Sequence, residues 1–163
     1  MFKNLFKKRS AGQLPLFSIS HIVDDSLSQT RDQALKNIAQ LVKQAGYVRS
    51  DERFCQDLLA REAMSSTGFK DGIATPHAKS PQVATAGIWV FRFNNPIDWD
   101  TMDNRPVKTA VALMIPDKGH NDDMLPLIAI SKANMDPDFR KVLIEGHHES
   151  IDKAIRQAIG VDL

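Results

Sequence analysis

The sequence predicts an α/β domain in which helices cover a sheet. Two apolar, β-prone runs, "TAGIWVFRF" at 85–93 and "VKTAVALMI" at 107–115, are apolar enough to be strands covered on both faces. Stretches with the 3.6-residue period of amphipathic helices stand before and after them. A length of 163 residues, 42% hydrophobic and 25% charged, suits one domain with a real core.

The elements follow in order. Residues 1–16 read as a basic tail, "MFKNLFKKR", followed by a connector, "SAGQLPL"; the domain spans 17–163. The Phe2, Leu5, Phe6 spacing could touch a membrane surface, but one or two turns make a weak anchor. "FSISHIVDD", with Phe17, Ile19, Ile22 and Val23, suits a short strand or extended entry. Residues 30–45 place Ala34, Leu35, Ile38, Leu41, Val42 and Ala45 on one helical face. Thr30 with Gln33 matches a capping box, and Gly46 stands where a helix C-cap glycine belongs.

A second helix is expected from about Asp51 to Met64, with Phe54, Cys55, Leu58 and Leu59 inward. "SSTG" ends it and opens a loop. Between the two strand runs, "NNPIDWDTMDNRP" reads as a turn-rich excursion. Met124, Leu125, Ile128 and Ala129 mark a further helix. Asp136 as N-cap and Pro137 at the first helical position start another. His147 and His148 read as a polar turn, with Ser150 capping a final helix through Ile151, Ala154, Ile155 and Ala158.

Several function classes lose support. A formal charge of +1 gives no nucleic-acid footprint. No stretch approaches the ~20 apolar residues of a membrane span, and no apolar segment of a secretory signal follows the positive start. The single cysteine, Cys55, rules out an internal disulfide and suits a reducing cytoplasm; on an inward helical face it reads as core. "HNDD" at 120–123 and "HHES" at 147–150 offer hard ligands without zinc-site spacing, so no metal is expected. No phosphate-binding Gly-rich Lys motif or dinucleotide fingerprint is present. Asp24 and Asp25 read as turn or cap residues.

The loop "TGFKDGIATPHAKSPQ", residues 67–82, holds the chemistry. Pro76 fixes one backbone angle just before His77, and Ala74 and Ala78 leave room beside it. Gly68 and Gly72 allow tight turns and close backbone approach. A histidine nucleophile needs a neutral outward nitrogen, a fixed ring and help with the charge it gains. On these residues alone, an ordinary surface histidine remains an alternative. Arg61, near the end of the second helix, is either a two-point phosphate clamp or a solvated arginine. His120 follows a predicted strand, where α/β proteins gather their chemistry, but spacing alone does not put it near His77. No paired carboxylates or nucleophile–base motif suggests a hydrolase.

The segment "LLAREAMSSTGFKDGIATPHAKS" resembles the active-site segment of the fructose/mannitol-type enzyme IIA of the phosphoenolpyruvate-dependent sugar phosphotransferase system. The likeness continues in "NPIDWDTMDNRPVKTAVALMIP" and in "HNDDMLPLIAISKAN", and covers the chain from about Ser18 onward. The resemblance implies an α/β sandwich around a mixed sheet, flanked by helices. It implies that His77 takes a phosphoryl group on Nε2, that Arg61 helps hold it, and that His120 faces it. It implies no metal or nucleotide, HPr as donor, and enzyme IIB of a sugar permease as acceptor. In the nitrogen-related regulatory branch the same histidine controls partner proteins instead; a non-phosphorylated binding module is a third alternative. Thr75 departs from the aliphatic residue usual at that position, and its hydroxyl could bond either phosphate or backbone.

Overall fold

The computed structural model describes residues 13–118 and 121–160; the tail 1–12 lies outside the described residues. Among the described residues, five strands are ordered along the chain as β1 (Ile22–Asp25), β2 (Ile73–Ala74), β3 (His77–Ser80), β4 (Gly87–Ile97) and β5 (Val107–Pro116). Five α-helices accompany them among the described residues: α1 (Arg31–Gln44), α2 (Asp51–Met64), α3 (Leu125–Ala133), α4 (Pro137–Glu145) and α5 (His148–Ile159). β4 and β5 form an antiparallel centre, β1 runs parallel to β4, and β2 and β3 follow one another along the outer side of β5, both parallel to it. The sheet is therefore mixed, as expected.

The unbroken apolar character of β4 and β5 has a simple cause: each strand is buried on both faces. Alternate residues of a strand point to opposite sides. Trp89 and Phe91 pack with Ala110, Ala112 and Met114 against Leu35, Ile38, Phe54 and Leu58 of α1 and α2. Ile88 and Val90 pack with Val111 and Leu113 against Ile130, Leu143, Ile151 and Ile155 of α3, α4 and α5. Two cores thus sandwich one sheet.

The helix ends follow local chemistry. Thr30 Oγ1 accepts from Gln33 N at 3.2 Å, while the Gln33 side chain accepts from Gln29 N, one residue before the position a reciprocal box requires. Gly46 takes φ +92, the left-handed conformation that closes α1. Asp136 caps α4 through Asp138 N at 2.9 Å, with Pro137 in its first turn.

Five expectations are corrected. The entry strand starts only at Ile22; Ile19–His21 form a 3-10 turn because buried His21 bonds the Ile88 carbonyl at 2.9 Å and fills the corner beside Trp89. β4 does not stop at Phe93: it continues through Asn94–Pro96, shifting register so that Ile97 is buried opposite Val107. α5 starts at His148 with His147 as N-cap, three residues before the Ser150 cap expected. Ile151 N bonds the His147 carbonyl at 3.0 Å, so the turn that seats Ile151 in the core closes earlier. In α3 the inward residues are Pro126, Ala129 and Ile130, while Ile128 is exposed; a helix apolar nearly all round carries no clear phase. The loop holding His77 contains the short strands β2 and β3. The connector residues Leu14 and Leu16 also pack on the two cores, and Leu16 accepts from Ile88 N at 2.8 Å.

Candidate active site

The site is assembled where α2 ends and the chain returns to the outer edge of β5. Glu62, in the last turn of α2, is 5% exposed. Its Oε2 accepts from Thr67 N at 3.0 Å and from Trp99 Nε1 at 3.3 Å, and its Oε1 accepts from the Thr67 hydroxyl. One carboxylate therefore ties the helix end to the following loop and to the excursion between β4 and β5. The next link is tight. Ser66 Oγ donates to the Asp100 carbonyl at 2.5 Å, and a Cβ on Gly68 would stand 2.0 Å from that oxygen, so only glycine fits.

The loop then reverses. Asp71 (φ +55) and Gly72 (φ +80) take left-handed conformations, and Phe69 N bonds the Ile73 carbonyl at 2.9 Å. Thr75 N bonds the Thr67 carbonyl at 3.0 Å, and Leu113 N bonds the Pro76 carbonyl at 3.0 Å. His77 follows as the first residue of β3, in register with Leu113. β3 is clamped to α2 from below, where the Ser80 hydroxyl donates to the Asp57 carboxylate.

His77 is half-buried and its Nδ1 lies 2.8 Å from the Thr75 carbonyl. A carbonyl oxygen can only accept, so Nδ1 carries the proton and Nε2 carries the lone pair. Burial pushes the His77 pKa below the ordinary 6.5. The Thr75 carbonyl opposes that shift, the Arg61 charge adds to it, and Glu62 opposes it again. The ring is thus held neutral, in one tautomer, with its nucleophilic nitrogen unbonded among the described residues. That arrangement suits attack on an electrophile.

Arg61 lies on the same helix end, and its charge reaches His77. Its Nη1 donates to the Ser65 carbonyl at 2.7 Å, capping α2, and leaves the rest of the guanidinium for other bonds. Arg61 stands near enough for its charge to act on His77; His120 lies outside the described residues. The Thr75 hydroxyl lies 3.5 Å from the Thr67 carbonyl, at the limit of a hydrogen bond. Sequence reasoning gave Glu62 and Trp99 no role. The available signal was a carboxylate in the last turn of a helix, where the macrodipole disfavours it.

Other candidates lie apart from this site. His148 Nε2 faces Asp24 at 3.2 Å, and among the described residues no group of three His, Cys, Asp or Glu gathers as a metal site. Burial pushes the Cys55 thiol pKa up, which keeps it protonated. Among the described residues no helix is long and apolar enough to cross a membrane.

The family model "Phosphoenolpyruvate-dependent sugar phosphotransferase system, EIIA 2" matches residues 15–158. The chain is 30% identical over 125 residues to the PTS system fructose-like EIIA component of Escherichia coli, covering 77% of this chain and 84% of that one. It is 38% identical over 90 residues to the nitrogen regulatory protein of Klebsiella oxytoca, covering 54% of each. Its fold is similar to the complex of enzyme IIAMTL and phosphorylated enzyme IIBMTL from Escherichia coli, with a TM-score of 0.71, 14% identity, and coverage of 86% of this chain and 97% of that one.

Proposed function

This chain belongs to the EIIA 2 family of the phosphoenolpyruvate-dependent sugar phosphotransferase system, and on that premise we propose that it is a cytoplasmic phosphocarrier with His77 as its phosphoryl acceptor. The observation that carries the proposal is the Thr75 carbonyl on Nδ1, which leaves the Nε2 lone pair free beside the Arg61 charge.

In the proposed step, Nε2 of His77 attacks the phosphorus of phospho-HPr in line. The N–P bond of the donor breaks and its electron pair returns to the donor nitrogen. The Nδ1 proton stays in its bond to Thr75 and spreads the positive charge that the ring gains. Phosphoryl transfer has little covalent work for the protein, so catalysis rests on positioning and on charge stabilisation. Arg61 supplies a cation for the phosphoryl oxygens, and His120 is assigned the facing position. Glu62 acts through the loop, holding Thr67 and so the carbonyl that bonds Thr75 N. In the return step enzyme IIB of a fructose/mannitol-type permease takes the group.

A regulatory reading keeps the same acceptor and changes only the partner; the similarity to a nitrogen regulatory protein favours it. The test is transfer. Purified chain is phosphorylated with phosphoenolpyruvate, enzyme I and HPr, then mixed with enzyme IIB proteins. Transfer to one of them supports the transport role. A phosphorylated chain that no IIB discharges supports the regulatory one.

A further inference from the structure

A cavity of about 490 Å³ opens at the start of β5, at the far end of the loop that leads to His77. Arg105, Lys108, Arg140 and Lys141 line it, with Asp71 and Glu145 as the carboxylates. His77 pairs with Leu113, five residues further along β5 than Lys108, or roughly 16 Å away at strand rise. The two sites are therefore separate.

The charges in the cavity do not cancel. Asp71 is shared between Arg140 Nε at 2.9 Å and Arg105 Nη1 at 3.5 Å. Glu145 stands 4.0 Å from Lys141. Lys108 has no ion pair or hydrogen bond among the described side chains. Asp103, just outside the lining, also faces Arg105 Nε at 3.9 Å, so four cations meet three carboxylates, an excess of one positive charge. Arg140 is fixed in place: its side chain is 7% exposed, Nη1 donates to the Asn134 carbonyl at 2.5 Å, and the guanidinium lies 5.8 Å from the Phe69 ring centre. An ordered, desolvated arginine beside three exposed cations, Arg105, Lys108 and Lys141, suits an anion with several acceptor oxygens. The volume lies in the range of ~300–1,000 Å³ that takes small molecules.

We propose that this cavity binds a phosphate group, free or carried on a small metabolite as a phosphomonoester. The positive excess and the unpaired Lys108 favour an anion, and the remaining volume accommodates a metabolite body. The site adjoins Asp71, whose left-handed backbone begins the return to His77, so its occupant would press on the same loop.

The test is an NMR titration of the 15N-labelled full chain with glucose 6-phosphate, inorganic phosphate and glucose. Both phosphate-bearing probes should shift the amides of 71–72, 105, 107–108 and 140–141, and glucose should not. Tighter binding of glucose 6-phosphate identifies a metabolite as occupant; equal binding identifies free phosphate. The double variant R105Q/K108Q, both positions exposed, should retain the folded spectrum and bind about tenfold more weakly or worse. His77→Ala should bind as the wild type does, which makes the result independent of the phosphocarrier reading. Shifts confined to the surroundings of Arg61 and His77, no shifts at about 10 mM probe, or unchanged binding in R105Q/K108Q would overturn the proposal.

Discussion

Glu62 and Thr67 grip one another twice: the Thr67 N–H donates to one carboxylate oxygen at 3.0 Å and the Thr67 hydroxyl to the other. Both residues are buried, and Trp99 completes the set from another loop. Removing the carboxylate strands these donors away from water, at about 1–3 kcal/mol each. Glu62→Ala should lower stability by about 2–4 kcal/mol in urea unfolding. Glu62→Gln should cost about 1 kcal/mol, because an amide oxygen can still accept and the Thr67 hydroxyl can turn to accept from the amide nitrogen. Equal stability of Glu62→Ala and the wild type would remove this carboxylate from the account of the loop.

Gly68 makes a sharper steric prediction. Its missing Cβ would overlap the Asp100 carbonyl oxygen, a backbone atom that no rotamer change can clear. Gly68→Ala should therefore cost about 1–3 kcal/mol and slow phosphorylation by displacing the Thr67–Thr75 pairing. A variant with wild-type melting and wild-type labelling rate would show that this contact does not set the loop.

The His77 pKa gives a pH prediction. Its folded value is lowered below 6.5 by burial first, with Arg61 adding to the shift. Below 6.5 the unfolded chain therefore binds more protons than the folded one. The stabilisation from this group is fully present above 6.5 and is lost as pH falls through the folded pKa. Phosphoryl acceptance should likewise persist below pH 6.5 and fall only at the lower pKa. Arg61→Gln should raise the His77 pKa, read by NMR of the ring protons, because a positive charge has been removed. A fall in that pKa would contradict the assigned electrostatics.

The legible parts of the sequence were those fixed by nearby residues. α1 was readable from its face, Thr30 and Gly46, and α4 from Asp136 and Pro137, because caps act within a few residues. The strand character of β4 and β5 was readable because burial on both faces leaves a continuous apolar run. β2 and β3 were not: strands of two and four residues carry no period, and their pairing with β5 joins segments more than 30 residues apart. The same distance hid Glu62 and Trp99, which meet across 37 residues. The sequence marks His77 as a candidate nucleophile, but the carbonyl that fixes its tautomer, Thr75, becomes visible only once the loop is folded.

Phosphorylation of the chain by phosphoenolpyruvate, enzyme I and HPr tests the central claim most directly. The account predicts one acid-labile, base-stable phosphate on Nε2 of His77, abolished in a folded His77→Ala variant and reduced in Arg61→Lys, which loses the planar fork. Full labelling of His77→Ala, or no labelling of the wild type by a donor mixture active on another enzyme IIA, would contradict it.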